Sequence, residues 1–248
     1  FGSTLFLYCC TDRLIQDDRV RGNNFTVPGT FSVAAGTNAA GTLTRWYRDV
    51  MFPDAVQLER SGGENAFQRM LKDLEQIPAG SDGLITLPYL AGERTPINDP
   101  NAKGMIFGLK LSHTRAHLYK SALESVGYAV AQHVDILEEQ GVGLRHITAV
   151  GGGVKNPIWM QIVADILGKP IQIPEITLGA SYGDALMAAL AAGRFDSFED
   201  LHRAIRIDRM LQPNMELHQT YQSYKELYTE LYLANRELMH RLGQNTKC

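Results

Sequence analysis

Cysteine is scarce in this chain of 248 residues, which contains only Cys9, Cys10 and Cys248. An odd number of cysteines argues against a disulfide framework, and the adjacent pair lacks the two-residue spacing of redox and zinc motifs. The sequence therefore predicts a reducing compartment, the cytoplasm, as the location of the protein.

An excess of charge of either sign is also missing, because 24 basic and 27 acidic side chains interleave and leave a formal net charge of -3. Such a balance provides no electrostatic field for nucleic acid or an anionic membrane. No apolar run reaches the roughly 18 residues of a membrane-spanning helix, and the first ten residues lack the basic region of a signal peptide. The sequence predicts neither nucleic acid nor a membrane as a partner.

The motifs of several enzyme classes are absent. There is no G-x-S-x-G elbow, and the cysteines have no evident histidine partner for nucleophilic hydrolysis. His113 and His117 have metal-ligand spacing, but Thr114 replaces the glutamate of a metalloprotease, which favours a surface or packing role. Asp165 and Asp184 lie on predicted helices, where solvation or capping is favoured over Mg²⁺ binding. A nuclease of the ribonuclease-H type would need a carboxylate cluster that this sequence does not supply.

The chain has 44% hydrophobic residues, enough for one large core or two modest ones. Alternating strands and helices indicate an α/β layer architecture around a mixed sheet, with its first two strands in a meander at the edge. The predicted strands are 3–10, 25–35, 84–89, 145–150 and one near 171, and the predicted helices are 39–51, 64–76, 112–140, one ending at 167, 178–192 and one near 198. Ser112 is the predicted N-cap of the helix over 112–140.

Two further patterns have a structural and a functional interpretation. Tyrosines recur at helical spacing near the C-terminus, at positions 221, 224, 228 and 232. An amphipathic helix docked on the sheet, or on a missing partner domain, is favoured over a stacking platform. Glu93 and Arg94 lie in a loop rich in proline and glycine; a salt bridge that fixes the loop is favoured over a catalytic pair.

A glycine-rich turn is the most informative segment. The predicted strand over 145–150 runs into Gly151, Gly152 and Gly153, and a helical pattern follows at once. Unpaired amides at a helix N-terminus favour an anion, and a residue without a Cβ lets a phosphate approach the backbone. The pattern matches neither the Walker motif nor the dinucleotide fingerprint. A tight strand-to-helix turn without a ligand is therefore an equal alternative.

An ordered set of motifs covers nearly the whole chain: Gly2-Ser3-Thr4, Gly41 to Trp46, Pro88 to Pro96, Gly151 to Asn156, and Leu178-Gly179-Ala180. Together they resemble the C-terminal domain of the FGGY carbohydrate kinases, most closely the xylulokinase-like members. The resemblance implies an α/β, actin-like ATPase domain of the ribonuclease-H type over residues 1–248. A mixed sheet flanked by helices would form the C-terminal, nucleotide-side half of a two-domain sugar kinase.

The resemblance also assigns residues to the ligands. Gly2 to Thr4 would meet the β- and γ-phosphates, and Gly151 to Asn156 would hold the adenosine. Ser3 stands where threonine is common in the family, and Arg45 stands where glutamine is common. Phe6 falls where related kinases place an aromatic ring against the sugar. The implied ATP-binding residues are Gly2, Ser3, Thr4, Gly41, Arg45, Gly151, Gly152, Gly153 and Asn156.

Other parts of a kinase are expected outside this chain. The family's catalytic aspartate lies upstream of the position matched by Phe1, in an N-terminal sugar-binding domain that we expect to be absent here. The complete enzyme would use ATP and Mg²⁺ to phosphorylate a ketopentose such as xylulose or a related polyol, and the chain alone would be inactive. A homodimer is a further expectation. The alternative is an actin-like ATP-binding module, regulatory or chaperone-like, without a sugar acceptor.

Overall fold

The structure is a computed structural model that describes residues 1–245. The helices are α1 (Gly41–Met51), α2 (Pro53–Arg60), α3 (Ala66–Leu71), α4 (Arg115–Glu139), α5 (Pro157–Leu167), α6 (Ala180–Ala191), α7 (Phe198–Ala204) and α8 (Met215–Asn245). The strands are β1 (Leu5–Thr11), β2 (Arg21–Asn24), β3 (Phe31–Thr37), β4 (Ile85–Leu87), β5 (Met105–Phe107), β6 (Ile147–Thr148), β7 (Ile171–Pro174) and β8 (Ile207–Leu211).

The predicted α/β architecture is present, although the strands form three small sheets. Strand β3 lies between β1 and β2 in an antiparallel sheet, and β4 pairs with β5. In the third sheet, β7 runs parallel to β6 and antiparallel to β8, which makes this sheet mixed. The predicted strand over 145–150 is reduced to the two residues of β6.

The predicted meander is wrong in its strand order. The first six residues of the expected strand over 25–35 are not a strand; they contain a turn at Pro28 and Gly29, where Thr30 donates its amide to the carbonyl of Val27. Proline cannot donate to a sheet, so the strand begins only at Phe31. Seven residues of β1 then pair with β3, which places β3 in the centre of the sheet.

Two helix predictions also need correction. The N-cap of α4 is Thr114, not Ser112, and the Thr114 amide donates to Nδ1 of His117 at 3.2 Å. The expected exposed helix over 64–76 is instead the short α3, followed by a 3₁₀ turn over Leu74–Gln76. Met70 and Leu74 are buried in this segment because it packs against α2 and α4.

Helix α4 runs through the centre of the core, and α5 and α8 pack against it. Trp159 of α5 is 2% exposed and donates its indole Nε1–H to the carbonyl of Leu123 at 3.1 Å. The tyrosine pattern forms the inner face of α8, with Tyr221, Tyr228 and Tyr232 buried against the core. This confirms the docked amphipathic helix.

None of the helices within residues 1–245 combines the length and apolarity needed to cross a bilayer. Cys9 and Cys10 carry free thiols, and Cys248 lies outside the described residues.

Glu124 of α4 is a carboxylate in the centre of this core. It is fully buried and accepts hydrogen bonds from the Gly80 amide at 3.0 Å, the Ser81 hydroxyl at 2.7 Å and the Tyr221 hydroxyl at 3.1 Å. Burial raises the pKa of Glu124 to about 7, although these donors and Lys120 act in the opposite direction. The folded chain therefore holds a proton more tightly than the unfolded chain does.

We predict that Glu124 lowers the free energy of unfolding as the pH rises from about 5 through 7, by up to about 3 kcal/mol, because unfolding then releases a proton. Glu124→Gln removes this proton release. Urea unfolding of both proteins at pH 5.5 and pH 8 gives the difference between their free energies of unfolding. The stability of the unaltered chain relative to the variant should be lower at pH 8 than at pH 5.5. A pH-independent difference would show that Glu124 does not titrate in this range.

Candidate functional site

A cleft of about 630 Å³ opens where the first residues of the chain meet α1, α3 and the glycine turn. Seven of the nine predicted ATP-binding residues line it, although they come from three separate parts of the sequence. These seven are Gly2, Ser3, Gly41, Arg45, Gly152, Gly153 and Asn156. Thr4 and Gly151 instead face a neighbouring groove.

The N-terminus of α1 is fixed to the chain segment that precedes β1. Gly41 donates its amide to the Gly2 carbonyl at 2.9 Å, and Thr42 donates its amide to the Ser3 carbonyl, also at 2.9 Å. A Cβ at Gly41 would lie 2.4 Å from the Gly2 oxygen, so only glycine permits this approach. These two helix amides are therefore engaged by the protein itself and are not available to an anion.

The three glycines of the turn have different roles. Gly151 has φ of 95° and donates its amide to Thr177, and a Cβ there would lie 2.6 Å from the Phe1 carbonyl oxygen. Gly153 donates its amide to that same Phe1 oxygen at 3.0 Å. Gly152 is exposed to the cleft, and a Cβ there would meet no atom within 4 Å. The purely structural interpretation thus fits Gly151 and Gly153, whereas Gly152 leaves room for a ligand.

Asn156 has a structural role in addition to the predicted one. Its Oδ1 accepts the amide of Trp159 at 2.9 Å and caps α5, whose first residue is Pro157. Burial raises the pKa of Tyr119, and the nearby Asn156 side chain partly offsets this. Asn156 therefore lies between the glycine turn and α4 at the wall of the cleft.

Three cationic side chains line the cleft, and they differ in their partners. Arg48 pairs with Asp49 at 2.7 Å, and its guanidinium lies 5.1 Å from the centroid of the Phe67 ring. Arg45 and Lys155 are exposed at the cleft surface. Because Arg48 already has a carboxylate partner, Arg45 and Lys155 are better placed to meet an anionic ligand.

Sequence reasoning missed the wall formed by α3. Asn65, Phe67, Gln68 and Leu71 line the cleft from this side, together with Arg48 and Tyr119. The signal was the apolar pair Phe67 and Leu71, four residues apart in a segment that otherwise looked charged.

Phe6 lies outside this cleft, in a neighbouring apolar groove of about 600 Å³ that also contains Tyr8 and Leu178. Its ring is 49% exposed, stacks on Tyr8 with centroids 6.0 Å apart, and lies under the Arg94 guanidinium at 4.5 Å. Phe6 therefore does not line the cleft, but it shares its groove with four of the predicted ATP-binding residues, Gly2, Ser3, Thr4 and Gly151.

The predicted salt bridge between Glu93 and Arg94 is not formed. The Glu93 carboxylate is buried and accepts the Thr37 hydroxyl and the backbone amides of Asn38 and Arg94. The Arg94 guanidinium donates to the Thr37 carbonyl instead. Burial raises the pKa of Glu93, and these donors oppose the shift. Glu93 still fixes the loop, but through backbone amides.

The candidate metal ligands have other roles. His117 caps α4, and Asp165 accepts hydrogen bonds from Gln161 at 2.7 Å and the Asn214 amide at 2.8 Å. Asp184 is exposed on α6. Residues 1–245 contain no group of three or more His, Cys, Asp or Glu side chains that could hold a metal ion.

Comparison with known proteins shows the family to which the chain belongs. Residues 2–192 match the C-terminal domain of the FGGY family of carbohydrate kinases. A xylulose kinase from Staphylococcus epidermidis is 31% identical over 216 residues, 87% of this chain and 42% of that protein. A gluconokinase from Bacillus licheniformis is 30% identical over 82% of this chain and 40% of that protein. The chain thus spans about four-tenths of the length of these relatives.

Solved structures show the same fold. A xylulose kinase from Rhodospirillum rubrum superimposes with a TM-score of 0.83 at 30% identity, over 97% of this chain and 47% of that one. A glycerol kinase from Plasmodium falciparum, solved with ADP, shares the fold at 18% identity with a TM-score of 0.72, over 96% of this chain and 46% of that one. The predicted actin-like ATPase fold is confirmed, and the chain belongs to the FGGY family of carbohydrate kinases, as its C-terminal domain.

Proposed function

We propose that this chain is the nucleotide-binding half of an ATP-dependent sugar kinase. The observation that carries the proposal is the single cleft that brings together Gly2, Ser3, Gly41, Gly152 and Asn156 from distant parts of the sequence. Such a concave site with a mostly apolar lining and a few convergent polar groups is typical of a small-molecule pocket. The relatives named xylulose kinase and gluconokinase favour a kinase over a regulatory or chaperone-like ATP-binding module.

The residues that line the cleft are of two chemical kinds. Phe67 and Leu71 offer apolar surface, to which we assign the nucleobase. The exposed Ser3 and the cationic Arg45 are the groups that we assign to the phosphate chain. Hydroxyl and guanidinium groups are strong donors to phosphate oxygens, so these residues would hold the triphosphate and not take part in proton transfer.

The sugar that accepts the phosphoryl group and the Mg²⁺ ion would be bound mainly by groups outside this chain. We propose a ketopentose such as xylulose as the substrate, because several of the similar proteins are named xylulose kinases. The proton acceptor, the aspartate, and most sugar contacts would come from the N-terminal half, which would dock on the groove that contains Phe6 and Leu178. The described residues offer no carboxylate cluster for Mg²⁺. The ion would be bound chiefly by the ATP phosphates, as is usual for Mg²⁺.

We predict that the isolated chain binds nucleotide but shows no sugar-dependent release of ADP, because phosphoryl transfer requires ATP and acceptor to be positioned together. Coupled ADP detection with xylulose, gluconate and glycerol tests this. Mixing with the N-terminal half of the enzyme is the positive control. Phosphorylation of any of these compounds by the chain alone would contradict the division of roles between the two halves.

Gly152→Val should abolish most nucleotide binding while the fold persists. The new side chain enters open space in the cleft, so we expect ADP affinity to fall about ten-fold or more with little change in melting temperature. Gly151→Val is the matched control, because its Cβ would meet the Phe1 carbonyl at 2.6 Å at a φ of 95°. It should lower stability by about 1–3 kcal/mol. If calorimetry showed unchanged ADP affinity in Gly152→Val, the nucleotide would not bind in this cleft.

Asn156→Ser and Asn156→Ala separate the two roles of this residue. Serine can still cap α5, whereas alanine cannot, so only the alanine variant should lose about 1 kcal/mol of stability. Both variants lose the amide, and both should bind ADP more weakly by about 0.5–1.5 kcal/mol. If the serine variant bound ADP normally, Asn156 would be a helix cap only.

A further inference from the structure

Lys120 is a buried cation that does not line the cleft. Lys120 is 7% exposed, and its Nζ donates to the carbonyl of Leu74 at 3.3 Å and to the carbonyl of Ile77. Burial lowers the pKa of Lys120, while the carboxylates of Glu124 and Asp165 raise it. Burying an ammonium group costs free energy that a methionine of similar length would avoid. What the lysine offers that a methionine does not is a donor to two buried carbonyls of one loop segment, which it ties to α4.

The two carbonyls belong to the segment that continues the α3 wall of the cleft. Leu74 begins the 3₁₀ turn three residues after Leu71, the last residue of α3 and part of the cleft lining. Leu74 and Ile77 are both buried. One turn further along α4, Glu124 accepts the amide of Gly80 and the hydroxyl of Ser81. Helix α4 thus holds the stretch 74–81 with two buried ionisable side chains, Lys120 and Glu124.

The opposite wall is attached to the same turn of α4. Tyr119, next to Lys120, lines the cleft together with Asn156, whose side chain lowers the pKa of the Tyr119 hydroxyl. The carbonyl of Leu123 accepts the indole N–H of Trp159, which packs behind the glycine turn. Residues 119–124 therefore contact both walls, and the distance between the walls depends on how this short stretch holds each of them.

We propose that Lys120 is a positioning residue for the nucleobase. It fixes the α3 wall at the distance from the glycine turn that a planar base requires. The inference rests on the proposed nucleotide function of the cleft. Lys120 does not contact the nucleotide; it acts through Leu74 and Ile77 on the wall that carries Phe67 and Leu71. Loss of the Lys120 ammonium should weaken binding of the base. It should spare binding of the phosphates, which we assign to Ser3 and Arg45 on other elements.

Calorimetric titration of the purified chain with ADP and with pyrophosphate tests this. In Lys120→Met the ADP dissociation constant should rise about ten-fold, whereas that of pyrophosphate should change less than about two-fold. Lys225→Met is the matched control, since Lys225 ties α8 to Asp135 of α4 at 2.8 Å away from the cleft. It should change neither constant. Melting temperatures of all variants show whether stability alone accounts for the effect.

Lys120→Gln covers the case in which the methionine variant does not fold. The amide still donates to one carbonyl without a charge, so the chain should fold and show the same pattern at about three-fold. Unchanged ADP affinity in a folded Lys120 variant, or equal losses for ADP and pyrophosphate, would overturn the positioning role and leave the nucleotide function intact. Failure of the unaltered chain to bind ADP would instead overturn the proposed function and this inference with it.

Discussion

The hydrogen bonds of the first three residues hold the site together. The backbone carbonyls of Gly2 and Ser3 accept the first amides of α1, and Phe1 exchanges hydrogen bonds with Val150 and Gly153 in the glycine turn. Segments far apart in the sequence thereby meet at one point. The cleft exists because three backbones approach more closely than side chains with a Cβ would permit at Gly41 and Gly151.

The second constraint is the buried charge on α4. Core packing accounts for the apolar face of this helix, but Lys120 and Glu124 require specific partners because an unpaired buried charge is costly. Both charged groups find those partners in the irregular stretch between α3 and β4, mainly among backbone groups. A loop that lacks regular hydrogen bonding is thus held in one conformation by side chains of a rigid helix.

Local signals in the sequence predicted the elements whose partners are adjacent in the chain. The glycine turn and the helix after it were predicted correctly, because Gly151, Asn156 and Pro157 determine local backbone conformation. The α3 wall was missed, since the burial of Met70 and Leu74 depends on distant helices. The Glu93–Arg94 salt bridge failed for a similar reason: the carboxylate accepts the hydroxyl of Thr37, at the end of β3, and the amide of Asn38, contacts that a sequence pattern does not reveal.

Trp159 has a spectroscopic consequence. The chain contains two tryptophans, Trp46 and Trp159. Trp46 is 37% exposed, whereas Trp159 is buried at the base of the cleft with the Phe1 ring edge-on at 5.4 Å. An indole in such an apolar setting emits at shorter wavelength than one in water. With Trp46 replaced by phenylalanine, the protein would carry a single tryptophan, located at the wall of its own cleft.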